Sequence, residues 1–325
     1  MADGGSKRSF KTRFQPGRFD NVSPSGLALR AMLLTRRSAT FGLGLGLAAC
    51  GRSAQSAADA PPQGSLAWAI AGDWRIDPDR DEWRHPLQTL LFWGLQGDMN
   101  VLEIYPGLGW YTSILAPYLH ANGGHLTAAS FDPHRGSVAQ RETLATWQSR
   151  FGHDENLYGE IGQTAVTNTG TALAPANSVD LAILSNNVHT LMAAGIAERV
   201  FAGVLAALKP GGAFGIEQHR AASTGLQDPL AGTGYVQEAY VRALAQEAGF
   251  EFVAASDLNA NARDSRDHPF GVWTLPPTLR SSPLGQEDDP RFDTAPYEAI
   301  GESDRMTLKF RKPSGTAPAA PQSTP

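Results

Sequence analysis

Cysteine is almost missing from this chain: 325 residues carry one, Cys50. A single thiol excludes an internal disulfide and any thiolate metal cluster. No apolar run is long enough to cross a bilayer. The longest apolar-leaning segment near the start, Ser38 to Ala49, would measure only about 18 Å as a helix, against a hydrocarbon core of roughly 30 Å. No HExxH motif is present, and no internal repeat. Positive charge is also scarce where a domain would need it. Residues 1–49 hold eight basic side chains and two acidic ones, leaving 19 basic and 30 acidic in the remainder, a net of about −11. A body of that sign lacks the cationic face that phosphate binding requires, which argues against nucleic acid as partner. With 42% apolar and 18% charged residues, the chain fits one large α/β domain with appendages.

What is present begins with an address. Leu33 to Cys50 reads LLTRRSATFGLGLGLAAC, a basic pair, a short apolar region and small residues before the cysteine. That is the layout of a secretory signal. Arg36 and Arg37 resemble a twin-arginine signal, and Leu47-Ala48-Ala49-Cys50 resembles a bacterial lipobox, which implies export and a periplasmic protein lipid-anchored to a bacterial membrane at Cys50. Met32 just before it offers an alternative start to Met1. Residues 50–64 are small, polar and proline-bearing, as a flexible tether would be. Residues 314–325, rich in Pro, Ala and Ser, read as a disordered tail.

The organising stretch is VLEIYPGLGWYT, Val101 to Thr112. It reads as a strand, a glycine turn and a helix, a geometry that brings backbone N–H groups close to a ligand. Before it, DPDRDEWRHPLQTLLFWGL predicts a helix with Leu87, Leu90, Leu91 and Leu95 on one face, packed on the sheet edge. After it, strands are expected at His125–Phe131, near Leu157–Ile161, at Ser178–Ser185, Ala213–His219 and Phe250–Ser256, and finally at Met306–Phe310. Helices are expected at about Ser137–Phe151, Ala194–Leu208 and Gly234–Ala248, with a Lys209-Pro-Gly-Gly212 turn. Alternating strands and helices call for a mainly parallel sheet covered on both faces.

The segments VLEIYPGLGWYTSILAPYL, NNVHTLM, LKPGGAFGIEQHRA, DSRDHPFGVWTLPP and GESDRMTLKF, in that order, resemble a family of exported bacterial proteins described as predicted methyltransferases. From 65 to 313 the chain looks like the class I, S-adenosylmethionine-dependent methyltransferase fold: a Rossmann-like, mainly parallel seven-stranded sheet with helices on both faces. The resemblance implies that Glu103, Tyr105, Pro106, Gly107 and Gly109 cradle the methionine end of S-adenosylmethionine, with Asn187 nearby. It also implies that the end of strand two holds the ribose. Two departures stand out. Tyr105 occupies the place of the first motif glycine, and Ser130 that of the ribose acid, with Asp132 two residues on as its substitute.

Ligands in open α/β sheets sit beyond the carboxyl ends of the strands. His189 follows strand four; Glu217, His219 and Arg220 close strand five. Glu217 and His219 share one strand face, so together these four offer an acceptor, a base and a cation for a small-molecule substrate, with Glu217 orienting a histidine base and Arg220 holding an acidic group. Each has a structural alternative: His189 as a helix cap or core hydrogen-bonding group, and Glu217 with Arg220 as an ion pair. Residues 256–303 form a long insertion that suits a lid over the pocket or a brace for the sheet edge.

Three functions are compatible with these residues. The first is an exported methyltransferase acting on a small molecule. The second is a binding lipoprotein that keeps the fold without catalysis, since the methyl donor is made inside the cell. The third, ranked below both, is a metal-assisted hydrolase using His189, Glu217 and His219.

Overall fold

A computed structural model describes residues 60–167, 169–170 and 172–315. The expected signal at 33–50 with Cys50, most of the expected tether and nearly all of the expected tail lie outside the described residues. No described helix is long and apolar enough to cross a membrane.

Seven strands form one sheet: β1 (Asn100–Ile104), β2 (His125–Phe131), β3 (Gly162–Val166), β4 (Val179–Ser185), β5 (Leu208–His219), β6 (Glu251–Ser256) and β7 (Arg305–Arg311). Their order is β3-β2-β1-β4-β5-β7-β6, with β7 antiparallel to both neighbours and every other pairing parallel. The order reverses between β1 and β4, which opens a crevice at their carboxyl ends.

Helices cover both faces. The N-terminal helices are α1 (Leu66–Ile70), α2 (Asp81–Arg84) and α3 (Pro86–Trp93), followed by α4 (Thr112–Asn122), α5 (Val138–Phe151) and α6 (Glu155–Tyr158). Beyond β4 come α7 (Val188–Ala193), α8 (Ala197–Ala207), α9 (Glu238–Glu247) and α10 (Ala295–Ile300). Alternation along the strands divides the core in two. Leu102, Ile104, Ala182, Leu184, Phe214 and Ile216 pack with Phe201, Val204 and Leu244. Val101, Leu181 and Ile183 face the other way, toward Trp93, Ile114, Leu119 and Trp147. On this second face the side chains turn from apolar to ionic along the strand direction. Glu103, Glu217 and Arg305 are all buried there, at the end where the crevice opens.

Several boundaries differ from the expectation. The leading helix is broken at His85, which adopts φ +40° directly before Pro86, a position where proline disfavours helical backbone. Leu91 is 57% exposed and leaves the shared face. Trp93 instead carries α3 across the sheet interior, its Nε1 donating to the Leu308 carbonyl at 3.0 Å; α3 therefore covers β5 and β7 rather than an edge. The third strand starts at Gly162, because Asp154 caps a short helix containing Leu157 by accepting its N–H at 3.2 Å. Gly195, at φ +64°, follows the end of α7, so the helix expected at 194–208 begins only at Ala197, as α8. Lys209–Gly212 stays within β5 as a register shift against β4. Val236 precedes α9 and bridges Arg220 instead of joining the helix.

Gly215 is the point at which α3 touches the sheet. A Cβ there would lie 2.4 Å from the Trp93 ring, and Trp93 is 1% exposed and held by its hydrogen bond. Gly215→Val should therefore cost about 1–3 kcal/mol by overpacking, measured by guanidinium unfolding. Trp93→Phe in the same background should recover part of that loss; an undiminished loss would show that the contact is not the cause.

Candidate functional site

The glycine turn after β1 forms the floor of a cavity of about 230 Å³, lined by Glu103, Gly107, Leu108, Tyr111, Ser185 and Asn186 among others. Two non-glycine residues leave the sheet here in left-handed backbone: Tyr105 at the end of β1 (φ +50°) and Asn186 after β4 (φ +51°). Such conformations cost of order 1–3 kcal/mol and persist where surrounding contacts fix them. Asn187 supplies one such contact, donating through Nδ2 to the carbonyls of Tyr105 (3.2 Å) and Ser185 (2.9 Å). Its amide donors are thus spent on the scaffold, and Asn187 lines the cavity as a brace. Asn186 is different: its Oδ1 is buried without a hydrogen-bond partner.

Glu103 is 4% exposed and accepts from the Thr112 hydroxyl at 2.6 Å, while Trp147 Nε1 donates to the same hydroxyl at 3.0 Å. Burial pushes its carboxyl up to about 7, against the pull of the Thr112 hydroxyl and backbone N–H. Gly107, at φ +60°, has open space where a Cβ would stand. The N–H groups of Gly107 and Leu108 have no backbone acceptor among the described residues. Gly109 serves packing instead, since a Cβ there would meet the Phe151 ring at 2.2 Å. Pro106 accepts the Gly109 N–H and lines the cavity.

The end of β2 does not join this cavity. Ser130, 5% exposed, faces a separate hollow with Trp147 and Gln163. Asp132 turns back to accept the His134 N–H at 2.8 Å. The corner between β1 and β2 is filled by Tyr105, whose ring stacks on Phe131 at 4.5 Å; burial pushes its phenol up to about 12. A ribose clamp at Ser130 or Asp132 is therefore not assembled.

A second cavity, about 260 Å³, adjoins the first and shares Arg80, Arg84 and Asn186 with it. Its far wall is Val272, Trp273, Pro276 and Pro277 from the long insertion, which thus covers the strand ends. The insertion is also a brace. Asp264, 1% exposed, accepts from the Tyr235 hydroxyl, His268 and the Asp304 N–H.

His189 and His219 both line this cavity, with ring centroids 5.7 Å apart. Burial lowers His189 to about 4. Burial, then His189 and the nearby Arg305, Arg84 and Arg80, hold His219 well below the ordinary histidine range. Both are neutral at pH 7. Gln218 Nε2 donates to the Gly234 carbonyl and approaches His189 Nδ1 at 3.3 Å, which makes Nδ1 the acceptor and leaves the His189 proton on Nε2. His219 Nδ1 meets the Ser303 hydroxyl at 2.6 Å.

Glu217 does not orient either histidine. It is fully buried, accepts from the Tyr111 and Ser185 hydroxyls at 3.1 Å each, and its Oε1 lies 2.7 Å from Arg305 Nε in an ion pair outside hydrogen-bond alignment. Arg220 lines neither of these two cavities. It grips Asp304 through two nitrogens and Asp257 through a third, all within 3.0 Å. The cations that do reach are Arg80 and Arg84, which the sequence presents only as a charged lead-in to a helix. Among the described residues no three His, Cys, Asp or Glu side chains are grouped to hold a metal ion, and the trio of His189, Glu217 and His219 is divided by the turn of Glu217 toward Arg305.

No protein-family model matches the chain, and no curated protein matches it. Solved structures do. The [4+2]-cyclase SpnF is 18% identical with a TM-score of 0.52, covering 75% of this chain and 86% of its own. A SAM-dependent methyltransferase from Aquifex aeolicus is 18% identical (TM-score 0.45; 56% of this chain, 87% of that one). A protein described as a sarcosine dimethylglycine methyltransferase from Galdieria sulphuraria is 14% identical (TM-score 0.45; 73% and 86%). The strand order, with the likeness to the SpnF structure, gives the chain a class I methyltransferase-like fold.

The raised carboxyl of Glu103 has a measurable consequence. The native state holds that proton more tightly than the unfolded chain, so between about pH 4.5 and 7 stability falls as pH rises. Glu103→Gln removes this dependence and keeps an acceptor for Thr112. Between pH 4.5 and 7.5 the variant should gain on the wild type by on the order of 3 kcal/mol, read from urea unfolding at both ends. A constant difference would show that the carboxyl is ionised throughout.

Proposed function

We propose that this chain is an S-adenosylmethionine-dependent methyltransferase acting on a small molecule, exported and lipid-anchored at Cys50. The observation that carries the reading is the wall shared by the two cavities. One holds the glycine turn and Glu103, the other holds two neutral histidines, and Asn186 stands between them. A donor and an acceptor bound in these cavities would meet at that seam, where alignment and exclusion of water supply most of the catalysis.

The amino-acid end of the cofactor fits the first cavity. Glu103 would accept its ammonium, and the free N–H groups of Gly107 and Leu108 would face its carboxylate. When bound, S-adenosylmethionine supplies a sulfonium methyl to a nucleophile. His219, neutral and braced by Ser303, would receive the nucleophile's proton, while His189 offers an N–H to the substrate. The sugar end lacks a carboxylate partner, and loss of one charge-assisted hydrogen bond weakens binding about ten- to a hundred-fold.

That missing partner, with Tyr105 stacked on Phe131 in its place, favours a second reading in which the domain binds a ligand without catalysis. The likeness to a [4+2]-cyclase is a reminder that fold alone does not choose a reaction.

Calorimetric titration with S-adenosylmethionine decides between them. Binding is expected to tighten from pH 6 to pH 8, because Glu103 ionises near pH 7 and the ammonium then finds a charged acceptor. Gly107→Trp, which fills the open space above the turn, should abolish it, and kcat at saturating ligand should keep its acid limb well below the ordinary histidine range, from His219. No heat at millimolar ligand would overturn the methyltransferase proposal, and binding without turnover on any acceptor supports the second reading.

A further inference from the structure

The second cavity carries two arginines and one glutamate in its lining. Glu302 is shared by three cations: Oε1 accepts from Arg80 Nε, and Oε2 from Arg84 Nε at 3.2 Å and from Arg305 Nη1. Burial works against its charge, but Arg84 and Arg305 hold Glu302 down at about 2. Arg305 is consumed by Glu302, Glu217 and the Trp83 carbonyl. Arg80 and Arg84 reach Glu302 through Nε alone. Among the described residues their terminal nitrogens have no acceptor, and neither appears among the sealed, unpartnered atoms; they face the cavities. Arg84 is only 8% exposed, its guanidinium 4.8 Å from the Trp110 ring centre.

Within the network around Glu302, three positive charges face two negative ones, Glu217 and Glu302, and leave one in excess, in a setting where unpaired charge is costly; Asp77, the exposed acid beside these arginines, lines only the first cavity. The histidines add none, being neutral. Across the cavity the wall is apolar and aromatic, with Trp273 between Val272 and the Pro276–Pro277 pair. At the seam, Asn186 Oδ1 is a buried acceptor that lacks a donor.

We infer that the second cavity binds a small aromatic monocarboxylate, with its carboxylate against Arg80 and Arg84, its ring against Trp273, and a hydroxyl or amino hydrogen donated to Asn186 Oδ1. One carboxylate neutralises the surplus charge; a neutral ligand leaves it in place, and a phosphate dianion over-corrects it. Naming this ligand as the methyl acceptor rests on the function proposed above, but its binding does not.

The test is calorimetry on the full chain with 4-hydroxybenzoate, benzoate and 4-hydroxybenzamide, each with and without S-adenosylmethionine. The hydroxybenzoate should bind at least tenfold more tightly than the amide. Arg80→Gln should erase that difference; Arg80 is the less buried arginine, its side chain 22% exposed. Asn186→Gly, which keeps the left-handed backbone accessible, should weaken 4-hydroxybenzoate but not benzoate. Trp273→Ala, on the opposite wall, should weaken all three, and serves if the arginine variant fails to fold. Equal affinity for acid and amide, binding of none of the three, or tighter binding of inorganic phosphate would each overturn the inference. Carboxylate binding without S-adenosylmethionine binding would overturn the methyltransferase proposal and leave this inference standing; the reverse pattern would do the opposite.

Discussion

The buried ion pair between Glu217 and Arg305 is the contact on which the rest of the site depends. Both side chains are at most 1% exposed, on neighbouring strands. Removing one partner of such a pair leaves the other charged and dry, typically a loss of 3–5 kcal/mol. The pair does more than link β5 to β7. Arg305 continues to Glu302, and Glu302 to Arg84 and Arg80, so the N-terminal segment is fastened across the polar half of the sheet. Glu217 continues to Tyr111 at the start of α4 and to Ser185 at the end of β4. Five separate parts of the chain therefore meet on one charge network, and both cavities take their walls from it.

Burial first, and then the same network, keeps His219 from gaining a second proton. An imidazole buried beside three guanidinium groups cannot hold a second proton near neutral pH. His219 is thereby kept neutral, with no carboxylate behind it; the Ser303 hydroxyl holds its Nδ1 instead. Its basicity is low, so in the proposed reaction it would suit a nucleophile that sheds its proton as the new bond forms rather than one that must be deprotonated beforehand.

Much of the fold was legible in the sequence, because strand alternation and glycine turns are local signals. Val101–Ile104, His125–Phe131 and Met306–Phe310 fall on strands as read. The misses are also local in cause: Asp154 as a cap and Gly195 as a helix end are signals that a coarser apolar pattern overrode. The site was legible only in part. Glu103, Tyr105, Gly107, His189 and His219 line the cavities, since strand ends point to the crevice. Arg220 looked like the cation of the site because it closes β5, yet its partners Asp257 and Asp304 lie 37 and 84 residues away. Arg80 and Arg84 were hidden for the converse reason: their partner Glu302 is more than 200 residues distant. Which arginine finds an acid first is a tertiary fact, with no periodicity to reveal it.

The two departures from the fold's usual cofactor motif then become one. With Tyr105 in the left-handed turn, its ring occupies the corner beside Phe131 and closes one face of the β2 end. Ser130 points to the other face, where Trp147 and Gln163 offer no cation. A carboxylate at 130 would be buried there unpaired, at a cost that serine avoids. Once the tyrosine is in place, the acid is not merely absent but physically disfavoured. In the proposed binding mode the grip on a donor therefore shifts from its sugar to its amino-acid end, onto Glu103 and the free N–H groups of the turn, the part of the site that the buried network holds most firmly through Tyr111 and α4.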